Sequence, residues 1–103
     1  FAQKNVDDLA RYGSIPVVNA LTDMFHPCQI MSDMLTIYER TTNLKDLVIS
    51  WIGDGNNMAN SWINASVYFG FQLNIACPEG YTPNTAVLER ASMKPRNTAG
   101  PGA

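Results

Sequence analysis

The chain reads as an α/β protein built on parallel strands, and three observations carry that reading. Two apolar runs of strand length, residues 47–52 and 71–76, enclose a segment of helical spacing at 59–69. A turn bearing Gly53 and Gly55 leads from the first run into that helix, and an earlier helical pattern opens on Pro27. Strand, helix and strand in this order make a βαβ unit, whose crossover joins two parallel strands.

Each element has its own signal. Val6-Asp7-Asp8-Leu9-Ala10-Arg11-Tyr12 followed by Gly13 reads as the last turns of a helix with a glycine stop, its start expected upstream of Phe1. Residues 14–21 read as a short apolar strand, with Pro16 near its beginning, where a missing donor is tolerated. From Pro27 to about Arg40, Ile30, Met31, Met34, Leu35 and Tyr38 fall on one helical face, and Thr41-Thr42-Asn43 ends the pattern. Leu47-Val48-Ile49-Ser50-Trp51-Ile52 is continuously apolar enough for a central strand buried on both faces. Gly70 stops the next helix, and residues 84–93 suit a last helix capped by Asn84 or Thr85. Residues 94–103 have the composition of a disordered tail. The expected architecture is therefore pieces of a three-layer parallel-sheet protein: helix and strand, a linking helix, then a Rossmann-like βαβ unit.

Composition narrows the functional classes. With 46% hydrophobic and 16% charged residues the 103-residue chain has material for a packed core. Seven Lys and Arg against nine Asp and Glu, with no basic block, lack the electrostatic footprint of a nucleic-acid binder. No apolar run approaches the roughly 18 residues of a membrane span, so no membrane partner is expected. Cys28 and Cys77 stand apart without a CxxC pair or a histidine cluster, which argues against zinc and against a disulfide framework and suits a reducing, cytosol-like compartment. Asn64-Ala65-Ser66 matches a glycosylation sequon by chance inside a helix.

Two constellations carry chemistry. The turn Gly53-Asp54-Gly55-Asn56-Asn57-Met58 offers permissive backbone, side-chain amides and a helix start with free N–H groups, a setting for a small polar ligand. A dinucleotide is a poor fit, because Met58 replaces the third glycine of the fingerprint and Asn56 and Asn57 add bulk where a pyrophosphate approaches. Glu79 in its Pro-Glu-Gly turn reads as a solvated loop residue rather than a ribose-binding acid, and no P-loop lysine follows the glycines. The second constellation is His26-Pro27-Cys28-Gln29. With Pro27 at the first helical position, His26 lies at the cap and Gln29 in the first turn. The imidazole beside a helix N-terminus suits donation of one hydrogen bond to a carbonyl oxygen, and the Gln29 amide oxygen can accept from an N–H. A planar group carrying both C=O and NH₂ satisfies the pair; a capping histidine beside a surface glutamine is the plainer reading of this tetrapeptide taken alone.

Together and in this order, the two motifs resemble the ornithine carbamoyltransferase family. The resemblance runs from about residue 15 to residue 81, through Pro16-Val17-Val18-Asn19, Leu21-Thr22-Asp23, His26 to Gln29, Asp33 and the segment from Trp51 to Trp62. His-Pro-x-Gln is shared with aspartate carbamoyltransferases, whereas Gly-Asp-Gly-Asn-Asn-Met-Ala-Asn-Ser resembles the ornithine branch. The resemblance implies that His26 binds the carbamoyl oxygen as the catalytic residue, that Gln29 contacts the carbamoyl nitrogen, and that Asn57 holds the amino-acid end of ornithine. It implies carbamoyl phosphate and L-ornithine as partners, citrulline and phosphate as products, no metal or organic cofactor, a homotrimer and a cytoplasmic setting. Residues 1–25 then resemble the end of a carbamoyl-phosphate domain, 26–41 a linking helix and 45–93 the beginning of an ornithine domain, so that the chain corresponds to the middle third of such an enzyme. The family's Ser-Thr-Arg-Thr-Arg phosphate loop is absent, as are its further arginine and its later Asp, Ser-Met-Gly and His-Cys-Leu-Pro segments. The 103 residues alone are accordingly expected to be inactive and poorly stable, and a non-catalytic α/β binding or assembly module is the competing reading. Cys28 is expected to be a small packing residue, Asp54 to bond turn N–H groups, and Met31 and Met34 to belong to the core.

Overall fold

The computed structural model describes residues 1–41 and 43–93; the expected tail at 94–103 lies outside them. Five helices and strands after the first helix follow the anticipated order. Helix α1 (Gln3–Tyr12) starts within the chain rather than upstream, and Lys4 pairs with Asp8 one turn on at 2.6 Å. It buries none of its residues. Helix α2 (Pro27–Arg40) has the bounds its proline and its Thr41 break dictate. A 3-10 turn at Leu44–Asp46 leads to strand β1 (Val48–Ile52), helix α3 (Asn57–Phe69), strand β2 (Gln72–Ala76) and helix α4 (Thr85–Met93).

β1 and β2 pair in parallel, with Ile49 opposite Leu73 and Trp51 opposite Ile75. These inward residues alternate with exposed Val48, Ser50, Ile52, Asn74 and Ala76. The expectation that β1 is buried on both faces is therefore corrected. Among the described residues helices pack over one side only, and Ile52 is 83% exposed.

Residues 14–21 form no strand, which corrects the other sheet expectation. A strand exists by virtue of a neighbouring ladder, and the only sheet among the described residues holds β1 and β2. Most of the segment's apolar side chains are consequently exposed, Ile15 to 73% and Val18 to 78%, with Val17 half-buried.

The core gathers Ile30 and Met34 from α2, Trp62, Ile63 and Ala65 from α3, Phe71 and Leu73 around β2, and Val87 and Ala91 from α4. Trp62 and Phe71 meet edge to face with ring centroids 6.2 Å apart. On α2 the inward stripe is buried Ile30 and Met34 with partly buried Ile37, whereas Met31, Leu35 and Tyr38, expected on the same face, are exposed beside an open groove. Met31 is thus not a core residue of these elements.

α3 is well terminated at both ends. Asn56 caps its start, its side-chain oxygen accepting from the N–H groups of Met58 at 3.0 Å and Ala59 at 3.3 Å. Gly70 closes it in the left-handed conformation with φ of 78°, its N–H donating to the Ser66 carbonyl. Asn56→Ala is expected to cost about 1 kcal/mol, since two orphan donors lose their acceptor; a lowered thermal midpoint without loss of the folded baseline would register it.

Candidate functional site

The site grows from a closed turn at residues 22–26. The Thr22 N–H donates to the Phe25 carbonyl at 2.8 Å, and the Phe25 N–H returns to Thr22 Oγ1 at 3.0 Å. Thr22 is 1% exposed, and its hydroxyl donates to Gln3 Oε1 at 2.7 Å, which ties α1 to the turn. His26 follows with φ of −136° and ψ of 67°, outside the helical region that the next residue, Pro27, disfavours.

The N-terminal end of α3 meets this turn. Asn57 Nδ2 donates to the Thr22 carbonyl at 3.0 Å, Asn60 Nδ2 to the Met24 carbonyl at 3.0 Å, and the His26 N–H to Ser61 Oγ at 2.7 Å. Positions 57, 60 and 61 have the i, i+3, i+4 spacing of one helix face. Asn60 also accepts from the Asn84 N–H at 3.1 Å, so one buried amide joins the turn, α3 and the approach to α4.

The loop between β1 and α3 is held as closely. The Gly53 N–H donates to the Ala76 carbonyl at 3.0 Å and the Gly55 N–H to the Tyr81 carbonyl at 2.7 Å. A Cβ on Gly55 would lie 2.2 Å from the Pro83 nitrogen and 2.3 Å from the Thr82 carbonyl carbon. Glycine is required there because two backbones touch. Asp54 is exposed, and its carbonyl, rather than its carboxylate, takes part, accepting from Trp51 Nε1 at 3.0 Å. The expected role of its side chain in the turn is thus taken by main-chain groups.

Of the three residues singled out from sequence, His26 is the last residue of the turn and Asn57 is bonded to it. His26 is half-buried at the cap of α2, and its Nδ1 is buried with no hydrogen-bond partner among the described residues. A proton on Nε2 avoids a buried unsatisfied N–H at Nδ1 and turns a donor outward. Asn57, half-buried, spends its amide nitrogen on Thr22, which leaves its oxygen to accept. Gln29 is exposed in the first turn of α2, its nitrogen donating to Asp33 Oδ1 at 2.9 Å, which leaves its oxygen to accept. Cys28 is exposed, its Sγ 3.6 Å from the Asn19 carbonyl, and does not pack as expected.

No lysine or arginine among the described residues hydrogen-bonds to His26, Gln29 or Asn57. The described residues also contain no cluster of three metal-ligating side chains, and no helix long and apolar enough to cross a membrane. A groove of about 320 Å³ between α2 and α3, lined by Phe25, Ile30, Met31, Ala65 and Tyr68, is almost wholly apolar and excludes all three candidates. It is a packing groove, since it offers little polar lining to orient a charged substrate.

Sequence reasoning missed Thr22, Asn60 and Ser61 as builders of the site. The signal available was the polar triplet 57, 60 and 61 on a helix otherwise rich in apolar residues.

Comparison with known proteins adds the decisive observation. The carbamoyl-P binding domain of aspartate/ornithine carbamoyltransferase matches residues 1–39, and the Asp/Orn binding domain of the same enzymes matches residues 45–100. The chain belongs to the aspartate/ornithine carbamoyltransferase family. Among carbamoyltransferases, the ornithine carbamoyltransferase of Syntrophotalea carbinolica is 57% identical over 91 residues, 88% of this chain and 30% of that protein. That of Nitratidesulfovibrio vulgaris is 62% identical over 88 residues, 85% of this chain and 29% of its own length. The crystal structure of the Gloeobacter violaceus ornithine carbamoyltransferase superposes with a TM-score of 0.84 at 47% identity, covering 89% of this chain and 32% of that one. A mitochondrial ornithine carbamoyltransferase from Coccidioides immitis gives a TM-score of 0.85 at 32% identity over 100% of this chain and 34% of its own. The chain thus spans about 30% of the length of the curated relatives it matches.

Proposed function

We propose that these residues serve an ornithine carbamoyltransferase, which moves the carbamoyl group of carbamoyl phosphate to the side-chain amine of L-ornithine and releases citrulline and phosphate. One observation supports the reading most strongly: His26, the last residue of the 22–26 turn, donates its N–H to Ser61 of α3, and Asn57 of the same helix, 31 positions after His26, donates to the Thr22 carbonyl of that turn. In this scheme the neutral amine attacks the carbamoyl carbon, negative charge grows on the carbamoyl oxygen, and His26 Nε2–H donates to it. The Gln29 oxygen accepts from the carbamoyl NH₂, and Asn57 holds the amino-acid end of ornithine. Collapse of the tetrahedral centre expels phosphate, which takes the proton given up by the attacking nitrogen. Residues 1–25 belong in this reading to a carbamoyl-phosphate domain, 26–41 to the linking helix and 45–93 to an ornithine domain. A homotrimeric assembly and a cytoplasmic setting complete the proposal.

The lack of the family's Ser-Thr-Arg-Thr-Arg phosphate loop in the 103 residues favours a second reading for them by themselves: an inactive α/β assembly module. Both readings meet in one assay. Citrulline formation is expected from a carbamoyltransferase of full family length carrying these residues and not from residues 1–103 alone. In the former, Asn57→Ala is expected to raise the ornithine KM by about tenfold or more, the usual cost of one lost charge-assisted hydrogen bond, and to leave the carbamoyl-phosphate KM nearly unchanged. Equal effects on both substrates would remove Asn57 from the ornithine site.

A further inference from the structure

The hydrogen bonds beneath His26 reach further than the family resemblance. Ser61 and Asn60 are 4% and 5% exposed, and neither faces a substrate in the proposed reaction. Ser61 Oγ receives the His26 N–H at 2.7 Å, while Asn60 holds the Met24 carbonyl two residues earlier. Phe25, between them, packs against the core, as do Ile30 and Met34 of α2. On the other side, α1 buries no residue, and its links to the turn run through Gln3 and the exposed Phe1. The stronger attachment of His26 is therefore to α3.

We propose that Ser61, braced by Asn60, is a positioning residue: it fixes the backbone of His26 to the helix that carries Asn57, so that the two proposed substrate contacts move as one body. The clamp rests on the transferase reading only for its catalytic consequence; the backbone restraint stands independently of it. Pro27 supplies no N–H, so the His26 amide is the last main-chain donor before α2 that can be tied down in this way. Removing its acceptor frees the segment locally while the β1–β2 ladder and the core stay in place.

The test uses a carbamoyltransferase of full family length, comparing the unmodified protein with Ser61→Ala and Ser61→Thr. Ser61 is among the residues lining the apolar groove. In Ser61→Ala the His26 amide is expected to exchange with solvent about tenfold faster, in line with one lost hydrogen bond, while amides of β1 and β2 keep their protection. In the same variant kcat is expected to fall by about tenfold with the ornithine KM within about twofold of the parent. Ser61→Thr, which keeps the hydroxyl, restores both. Unchanged exchange at His26 overturns the clamp, and so does an equal loss of protection across β1 and β2, which would make Ser61 a general stability residue. Absence of citrulline from the unmodified protein overturns the transferase reading, and the exchange comparison still decides the clamp.

Discussion

Replacing His26 with alanine in a carbamoyltransferase of full family length is expected to lower kcat by about 10²- to 10³-fold, the usual effect of deleting one donor to a developing oxyanion. The ornithine KM should change little, because His26 is assigned to the other substrate. The buried Nδ1, which has no hydrogen-bond partner among the described residues, makes the prediction sharper. If Nε2 is the donating atom, His26→Gln should recover part of the activity, since its amide nitrogen reaches about as far as Nε2. His26→Asn, whose nitrogen falls near Nδ1, should recover none. A kcat within about twofold of the parent in the alanine variant would exclude His26 from the chemistry, as a difference that small is too slight for a lost transition-state contact.

The second large effect concerns stability. Gly55→Ala places a methyl carbon 2.2 Å from the Pro83 nitrogen, and the obstructing atoms are backbone. No rotamer change relieves such a contact, so the loop must lift away from residues 82 and 83. The expected cost is about 3 kcal/mol, the upper end of ordinary overpacking, and several times the cost of removing the Asn56 cap. Urea denaturation should show the lower midpoint, with the Gly55→Ala shift exceeding that of Asn56→Ala. A shift smaller than that of Asn56→Ala would mean that the loop does not press on residues 82 and 83 in solution.

Local chemistry explains which parts of this structure were legible in the sequence. α2 could be bounded because Pro27 starts it and the Thr41 region cannot continue it. The strands around the Gly53 turn were readable as apolar runs, and Gly70 marked the end of α3. Residues 14–21 misled because strand propensity is a statement about fitting a pleated surface, and no such surface exists beside them among the described residues. β1 misled for a related reason: an apolar run signals tolerance of burial on both faces, whereas a covering layer must come from elsewhere. The candidate site followed the same division. His26, Gln29 and Asn57 stood out through motif context. The requirement for glycine at position 55 did not, because the backbone it touches lies nearly 30 positions later.

The joint at residues 22–26 is unequal in what it asks of its two sides. α3 contributes three specific side chains, Asn57, Asn60 and Ser61, whereas the turn answers them with the carbonyls of Thr22 and Met24 and the N–H of His26. Every amino acid owns the carbonyls, and every one but proline the N–H. The exposed Asp23 side chain can therefore drift without loosening the attachment, and a library randomised at position 23 should retain far more functional members than one randomised at position 60. The mutational memory of this contact is written almost entirely on one partner.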